Sequence, residues 1–405
     1  MENLKIAWRN LWRNKKRTLI TVASIFFGVL LSTLMSSMQE GSYSSMVDNV
    51  VKFYSGYLQV QNEEYWDEKT INNTFTPTME LYKKIEGTKG VTNFAPRLES
   101  FALASSDEIT RGSILFGIVP EEEENVTGVS KWLSEGEYLK SNDKGILLAS
   151  GLANYMKINV NDTLVLLGQG YHGVSAAGKY PVRGLISLPN PDLNRQVIYM
   201  ELNNAQEFFT ADNLITSLVI MVEDPYDLPH ANRVLKKEIS SPYTVMTWDE
   251  MQPEIVQMIE ADRSGAVVMK GVLYIIIGFG ILGTITMMLS ERLREMGVMV
   301  AIGMQRVKLG IILFYETILI GFVGVISGFV ASIPVISYLF KNPVELTGDA
   351  AKTMIDMGIE PYMYFSWLPS VFYNQVITVF IITALIGILP LIRTFRLNVS
   401  QALRA

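Results

Sequence analysis

Four groups of residues in this sequence have types and spacings that could support chemistry. The first is Gly168-Gln169-Gly170-Tyr171-His172-Gly173, which matches G-x-G-x-x-G, with Asp192 about where a dinucleotide fingerprint places its ribose-binding acid. That fingerprint needs a helix N-terminus to hold a pyrophosphate. Here Gly178, Pro181 and another strand-like run follow, so residues 168–180 read instead as a long flexible hairpin tip. Gly170, Tyr171, His172 and Gly173 at its end are a candidate contact element. The second group, the four glutamates at 121–124, reads as a solvated face, because a calcium loop would alternate its oxygen ligands around a glycine turn. The third is Glu316, an acid about two turns inside an apolar run, a functional candidate by default that can either snorkel or pair with a nearby arginine. The fourth is the segment 290–308, SERLREMGVMVAIGMQRVK. No cysteine and only two histidines, His172 and His230, are present, which leaves no thiol nucleophile, disulfide or multi-histidine metal centre. No serine–histidine–aspartate set and no G-x-x-x-x-G-K-[ST] phosphate loop occur, so no catalytic or metal-binding residue is assigned.

These groups act only where the chain holds them, and the chain is built for a membrane. Of 405 residues, 49% are hydrophobic and 18% charged, below the quarter usual in soluble domains. Residues 39–265 carry 32 acidic and 18 basic side chains, whereas 1–17, 290–308 and 393–405 together carry 13 basic and 3 acidic ones. Such a split marks a chain that crosses a bilayer, and the formal charge of −6 argues against a nucleic-acid partner. Apolar runs at 18–38, 266–289, 309–339 and 375–392 are each about long enough to span as a helix. With four spans, all three basic segments fall on one side, which the positive-inside rule makes cytoplasmic. Both termini, the 290–308 segment and the 393–405 tail are then cytoplasmic. Residues 39–265 and the loop 340–374 are outside.

Residues 1–17 place Leu4, Ala7, Trp8, Leu11 and Trp12 on one helical face and Lys5, Arg9 and Arg13 opposite, which predicts an amphipathic helix in the membrane interface. Gly28 with Ser32, and Gly324 with Gly328, have the small-x-x-x-small spacing that lets helices approach closely, within a subunit or across a dimer. Lys270 is expected to snorkel to the outer interface. Within 39–265, strand patterns at 56–61, 101–104, 113–118, 145–149, 163–167, 182–186, 197–200 and 217–222 alternate with helix patterns at 77–85, 151–156, 205–209 and 227–239. An α+β domain with its own core is expected. Residues 248–263 read as one stalk helix leading straight into the second span.

Between spans two and three, Glu291, Arg292, Arg294 and Glu295 form a charged helical stretch. Met296, Val298, Met299, Val300, Ala301 and Ile302 follow as a short apolar surface, and Gly303 stops the helix. Such a helix suits a groove on a cytoplasmic partner.

The stretch ERLREMGVMVAIG resembles the E-R-x-R-E-[IM]-G-[IV]-x-x-A-[IL]-G signature of FtsX/MacB-like ABC transporter permeases. Glu291, Arg292, Arg294, Glu295, Met296, Gly297, Ala301 and Gly303 fall on its positions, with Met299 between them. LKIAWRNLWRNKKRTLITVASIFFGV resembles the entry helix and first span of that family, and FRLNVSQALRA its ending, with Val399 where proline is common. The resemblance covers the whole chain and is strongest in 1–30, 290–330 and 393–405. It implies a membrane protein of four transmembrane α-helices with a large extracytoplasmic α+β domain, the MacB-type periplasmic core, between helices one and two. It implies a multi-pass protein of the cell inner membrane, dimerised with a second copy or a paralogue. It also implies cytoplasmic ABC ATPase subunits that bind ATP and Mg, leaving no cofactor on this non-catalytic chain. Closure of the ATPases would push the coupling helix, and motion would pass through spans one and two to the outer domain, a mode called mechanotransmission. A fused ATPase, as in MacB itself, is absent from the sequence, so a separate subunit is implied.

Lipoprotein-releasing (Lol) permeases share this layout, and their outer domain has a hook-like hairpin at a place comparable to 168–180. The expectation is therefore extraction of lipoproteins from the outer leaflet of the inner membrane for transfer to a periplasmic carrier, with membrane lipids as further partners. A MacB-like drug or peptide efflux permease and an FtsX-like regulator of a cell-wall hydrolase remain open alternatives. A binding receptor without an ATPase leaves the 290–303 helix unexplained.

Overall fold

The computed structural model describes residues 2–13, 15–106, 109–356, 361–396, 398 and 402. The rest of the C-terminal segment, Val399 and Arg404 included, lies outside the described residues, as do Met1, Asn14 and 357–360. The chain forms two compact units. One comprises residues 1–44, 258–345 and 362–405; the other comprises 45–257 and 346–361.

The first unit is helical, and four of its helices are long and apolar enough to cross a membrane. They are Lys15–Val50, Pro253–Glu291, Arg306–Lys341 and the pair Pro369–Ile386 and Ile388–Phe395, which is bent at Gly387 with Pro390 just beyond. At 1.5 Å per residue the first two are roughly 55 Å long, well beyond a hydrocarbon core of about 30 Å. The fourth begins at Pro369, ahead of the apolar run at 375–392, because Pro fits the first helical turn. One side of these helices is packed. Ile25, Val29, Ile277, Ile281, Ile285, Leu313, Ile320, Val325 and Val379 form a common core. Leu19, Ile20, Phe27, Val267, Val268, Val272, Ile276 and Phe279 face outward, as residues solvated by lipid would.

The N-terminal helix, Glu2–Arg13, packs along the third span through Ala7 and Leu11, both buried. Its apolar face is thus divided. Ala7 and Leu11 meet protein, while Leu4, Trp8 and Trp12 remain exposed, the two indoles edge to face at 5.9 Å. Aromatic rings at that position suit headgroup depth.

The second unit, here the insert domain, holds a ten-stranded sheet. Its strands are β1 (Leu58–Asn62), β2 (Val91–Ser105), β3 (Thr110–Ile118), β4 (Leu133–Gly136), β5 (Ile146–Ala149), β6 (Thr163–Gln169), β7 (Ser175–Ile186), β8 (Val197–Glu201), β9 (Ser217–Val222) and β10 (Tyr243–Thr247). β2 is long enough to serve two neighbourhoods. Its first half pairs with β9, and β9 continues through β1 to β10, all antiparallel. Its second half pairs with β3 on one side and β6 on the other. Pairing then runs β3–β8–β5–β7–β6 and returns to β2, so six strands close on themselves and, among the described residues, the β9–β1–β10 arm and β4 leave the edges. The interior is filled by apolar side chains such as Leu98, Leu115, Phe116, Ile146, Leu148, Leu166, Ile198 and Phe209. The sequence pattern located parts of eight strands. It missed β4 and β10, and the first ten residues of β2, where a proline and charged residues dilute the alternation.

Two local expectations are corrected. Of the four glutamates at 121–124, all in the helix Pro120–Thr127, Glu121 and Glu122 are exposed as expected and Glu124 is half-buried, but Glu123 is fully buried. The predicted stalk helix over 248–263 is broken. Trp248–Met251 is a short capped turn, with Thr247 and Glu250 forming the capping box, and Gln252 is non-helical (φ −126°, ψ 59°) before a new helix starts at Pro253. Proline disfavours helical backbone in the residue before it, which places the break there.

Candidate functional site

The segment between spans two and three is the best candidate for a site. Span two ends at Glu291. Arg292 turns the chain (φ −94°, ψ 7°), and Leu293–Ala301 forms a separate short helix. Gly303, at φ +104°, then ends it in the left-handed region that glycine tolerates. Of the residues predicted to face a partner, Glu291, Arg294, Glu295, Ala301 and Gly303 are exposed, and Met299 is half-buried. Arg292, Met296 and Gly297 are buried, and this corrects their assignment to the contact surface: Met296 belongs to the helical core. The exposed part of that apolar surface is therefore Val298, Ala301 and Ile302, the last 80% exposed.

Arg292 points inward instead. Its Nη1 donates to both carboxylate oxygens of Glu316, at 2.7 and 2.9 Å, and its Nη2 donates to the Asn10 carbonyl at 3.4 Å. Both side chains are almost wholly buried, at 9% and 1% exposure. Glu316 thus has the arginine partner that its place in an apolar run requires. Asn10, whose carbonyl accepts from Arg292 and whose side chain also reaches Glu316, was not singled out by the sequence. At the surface, Arg13 meets Glu295 at 2.5 Å.

The small residues pack helices within the subunit. A Cβ on Gly324 would stand 2.7 Å from Ile25, and one on Gly328 would stand 2.8 Å from the Phe26 carbonyl, so the third span's G-x-x-x-G lies against span one. Gly28 faces Ile277 of span two, and Ser32 is buried with its hydroxyl on the Val29 carbonyl. A polar cluster unseen in the sequence joins other spans. Gln375 donates to Ser36 at 2.8 Å, and the Tyr274 hydroxyl donates to Gln375.

The hairpin tip is shorter than its composition suggested. β6 extends to Gln169 and β7 starts at Ser175, leaving only Gly170–Val174 as the turn, because small residues at 175–178 pair as readily as larger ones. No helix follows, as rejection of the nucleotide fingerprint required. Gly170 is buried against the Phe209 carbonyl, Tyr171 leans on the core and on the His172 ring, and the His172 amide donates to Asn72 at 2.8 Å. His172, Gly173 and Val174 are exposed.

The insert domain also buries charge. Arg97 holds Glu123 with two bonds, at 2.6 and 2.9 Å, and donates to the Tyr54 carbonyl. Burial weakens the guanidinium, but the Glu123 carboxylate more than offsets it and holds Arg97 above its ordinary value. Next to it, burial raises the Glu99 carboxyl, against the pull of Lys69 and the Tyr54 hydroxyl bond. No cluster of metal-ligating side chains occurs among the described residues.

Comparison with known proteins gives two family matches. The model described as MacB-like periplasmic core domain matches residues 18–238, more than half of the chain, and the FtsX-like permease C-terminal model matches 267–399. The chain is similar to the lipoprotein-releasing system transmembrane protein LolC of Neisseria meningitidis serogroup B, 21% identical over 78% of this chain and 76% of that one. LolC of Buchnera aphidicola subsp. Schizaphis graminum is 20% identical over 82% and 81%. Macrolide export ATP-binding/permease protein MacB 1/2 of Paracoccus denitrificans is 20% identical over 82% of this chain but only 50% of its own length.

Proposed function

The chain belongs to the ABC transporter permeases that join a MacB-like periplasmic core domain to an FtsX-like C-terminal half, and on that premise we propose that it is the membrane subunit of an inner-membrane machine driven by a separate cytoplasmic ATPase. The observation that carries this reading is the short helix Leu293–Ala301 between two spans, presenting Arg294, Val298 and Ile302 to water. In this reading both termini and the coupling helix are cytoplasmic and the insert domain is periplasmic. The permease works as a dimer, and ATP and Mg sit on the partner. Work done by the ATPase reaches the insert domain as motion, and no substrate threads the spans.

The substrate class we favour is lipoprotein, extracted from the outer leaflet and handed to a periplasmic carrier at the hairpin tip of His172 and Gly173. Support comes from two LolC relatives that align over about three quarters or more of both chains. A second reading, efflux of the macrolide-export type, draws on the MacB relative. The test is mass spectrometry of the complex drawn out in mild detergent through a tag on this chain. An ABC ATPase together with acylated lipoprotein is the expected result. An ATPase with an efflux duct or a cell-wall hydrolase would move the substrate class to a rival, and an intact chain with no ATPase would overturn the proposal.

A further inference from the structure

How force leaves the coupling helix is set by what that helix is tied to. Three elements converge on Arg292: the corner after span two, Glu316 of span three, and Asn10 of the N-terminal helix. One guanidinium nitrogen, Nη1, donates to both carboxylate oxygens while Nη2 turns to the Asn10 carbonyl, so the same planar group holds span three with one arm and the N-terminal helix with the other. The pair is almost out of water, so salt screens it little. A second link, Arg13 to Glu295, ties the N-terminal helix to the coupling helix directly. An apolar seam of Leu11, Met296, Leu309 and Leu313 runs through the same elements.

Span three is also the packing hub of its unit. Gly324 and Gly328 seat it on span one, and Gly321 seats it on Thr383 of span four. On span two, by contrast, a Cβ added at Gly265, Gly271, Gly280 or Gly283 would meet nothing within 4 Å. Motion entering span three is therefore passed on by close contact, whereas one flank of span two has no such neighbour in this chain.

We propose that Arg292 pins a corner clamp that makes the N-terminal helix, the coupling helix and the cytoplasmic end of span three one mechanical body, so that force on the coupling helix enters the membrane through span three. The source of that force is the ATPase of the function proposed above. Arg292, Glu316 and Asn10 are positioning residues in this scheme, and none of them touches a substrate.

The chain has no native cysteine, which makes a cross-linking test clean. The double variant Arg13→Cys/Glu295→Cys, assembled with its ATPase in lipid nanodiscs, is bridged with a short bismaleimide. If the two helices move as one, whatever ATP hydrolysis and ATP-driven distance change between spin labels on the insert domains the unbridged double variant shows will survive bridging with less than a two-fold loss. A block that appears on bridging, while singly alkylated controls work, would overturn the clamp. The second arm compares Glu316→Gln with the swap Arg292→Glu/Glu316→Arg. Glu316→Gln should keep the ATPase bound and hydrolysing but reduce the distance change by about ten-fold, the scale of a typical coupling energy. The swap should recover part of that loss. An unchanged distance response in Glu316→Gln would contradict the clamp, and a variant that does not assemble leaves the cross-link to decide. Loss of ATPase binding in the unmodified chain would instead sink the proposed function, so the two failures are distinguishable.

Discussion

Both units bury an arginine against a glutamate, yet the two pairs are built differently. Arg97–Glu123 in the insert domain is saturated. The guanidinium also reaches the Tyr54 carbonyl, and Glu123 accepts a further bond from the Thr127 hydroxyl at 3.0 Å. It joins a strand to a helix inside one folded core. Arg292–Glu316 takes its further hydrogen bonds from Asn10, whose carbonyl accepts from Arg292 at 3.4 Å and whose side chain reaches Glu316, and it joins three helices at the end of a span. The saturated pair is a fixture of the fold, and its loss should appear as stability. The pair at the end of the span is the pin of the proposed corner clamp, and its loss should appear as coupling.

The largest expected effect follows from the saturated pair. Glu123→Ala strands the buried Arg97 and should destabilise the insert domain by about 3–5 kcal/mol, whereas Arg97→Met/Glu123→Leu should recover much of that. Denaturant unfolding of the purified protein, followed through Trp66, Trp132 and Trp248, reads the difference. Equal losses in the single and double variants would break the comparison. In the membrane unit, Gly324→Leu forces side-chain atoms into span one and should cost about 1–3 kcal/mol, lowering the thermal midpoint in detergent. Gly271→Ala, which meets open space, should leave that midpoint unmoved. Next is Thr78, whose side chain caps the helix Met79–Glu86 by accepting from the Leu81 amide; Thr78→Ala should cost about 1 kcal/mol in the same unfolding experiment.

Acidity separates two other carboxylates of the insert domain. The Glu99 carboxyl is raised by burial, so between its unfolded and folded values the folded protein binds the extra proton. Stability then falls as pH rises through that window, and Glu99→Gln should flatten the fall. Glu250 has the opposite sign. Burial raises it, but its bonds to Lys236 and to the Thr247 amide win and lower it, so its contribution is present above the usual carboxylate range and disappears as pH falls through the lowered value. Unfolding midpoints measured across the acid range in Glu99→Gln and Glu250→Gln distinguish the two slopes. The smallest effect belongs to the exposed pair: Arg13→Ala should change thermal stability by less than about 0.5 kcal/mol.

The two pairs also explain how much could be read from sequence. Glu316 stood out because an acid in a long apolar run has few explanations; it could snorkel or pair with an arginine, and the fold supplies Arg292. Glu123 was hidden because one of four consecutive glutamates looks like its solvated neighbours; only the helix that Pro120 starts decides which of them turns inward. The spans were legible from composition alone, since the bilayer demands it. The 290–303 segment was legible as a helix with an apolar end, but its facing was not. Met296 and Ile302 have similar hydrophobicity, and the turn at Arg292 rotates one into the bundle and the other out. The hairpin was found but drawn too long, because glycine and alanine give no strand pattern even where they pair.

The central claim is that the exposed strip of the coupling helix is where a separate ATPase takes hold. The variant Arg294→Glu/Val298→Asp/Ile302→Asp changes that strip and leaves Arg292, Met296 and Glu316 untouched. Tag purification in mild detergent, with the recovered ATPase quantified beside the wild-type chain, tests it most directly. The account predicts that the variant reaches the membrane in normal amount, with an unchanged unfolding midpoint, and brings down little or no ATPase. Undiminished recovery of the ATPase would contradict it.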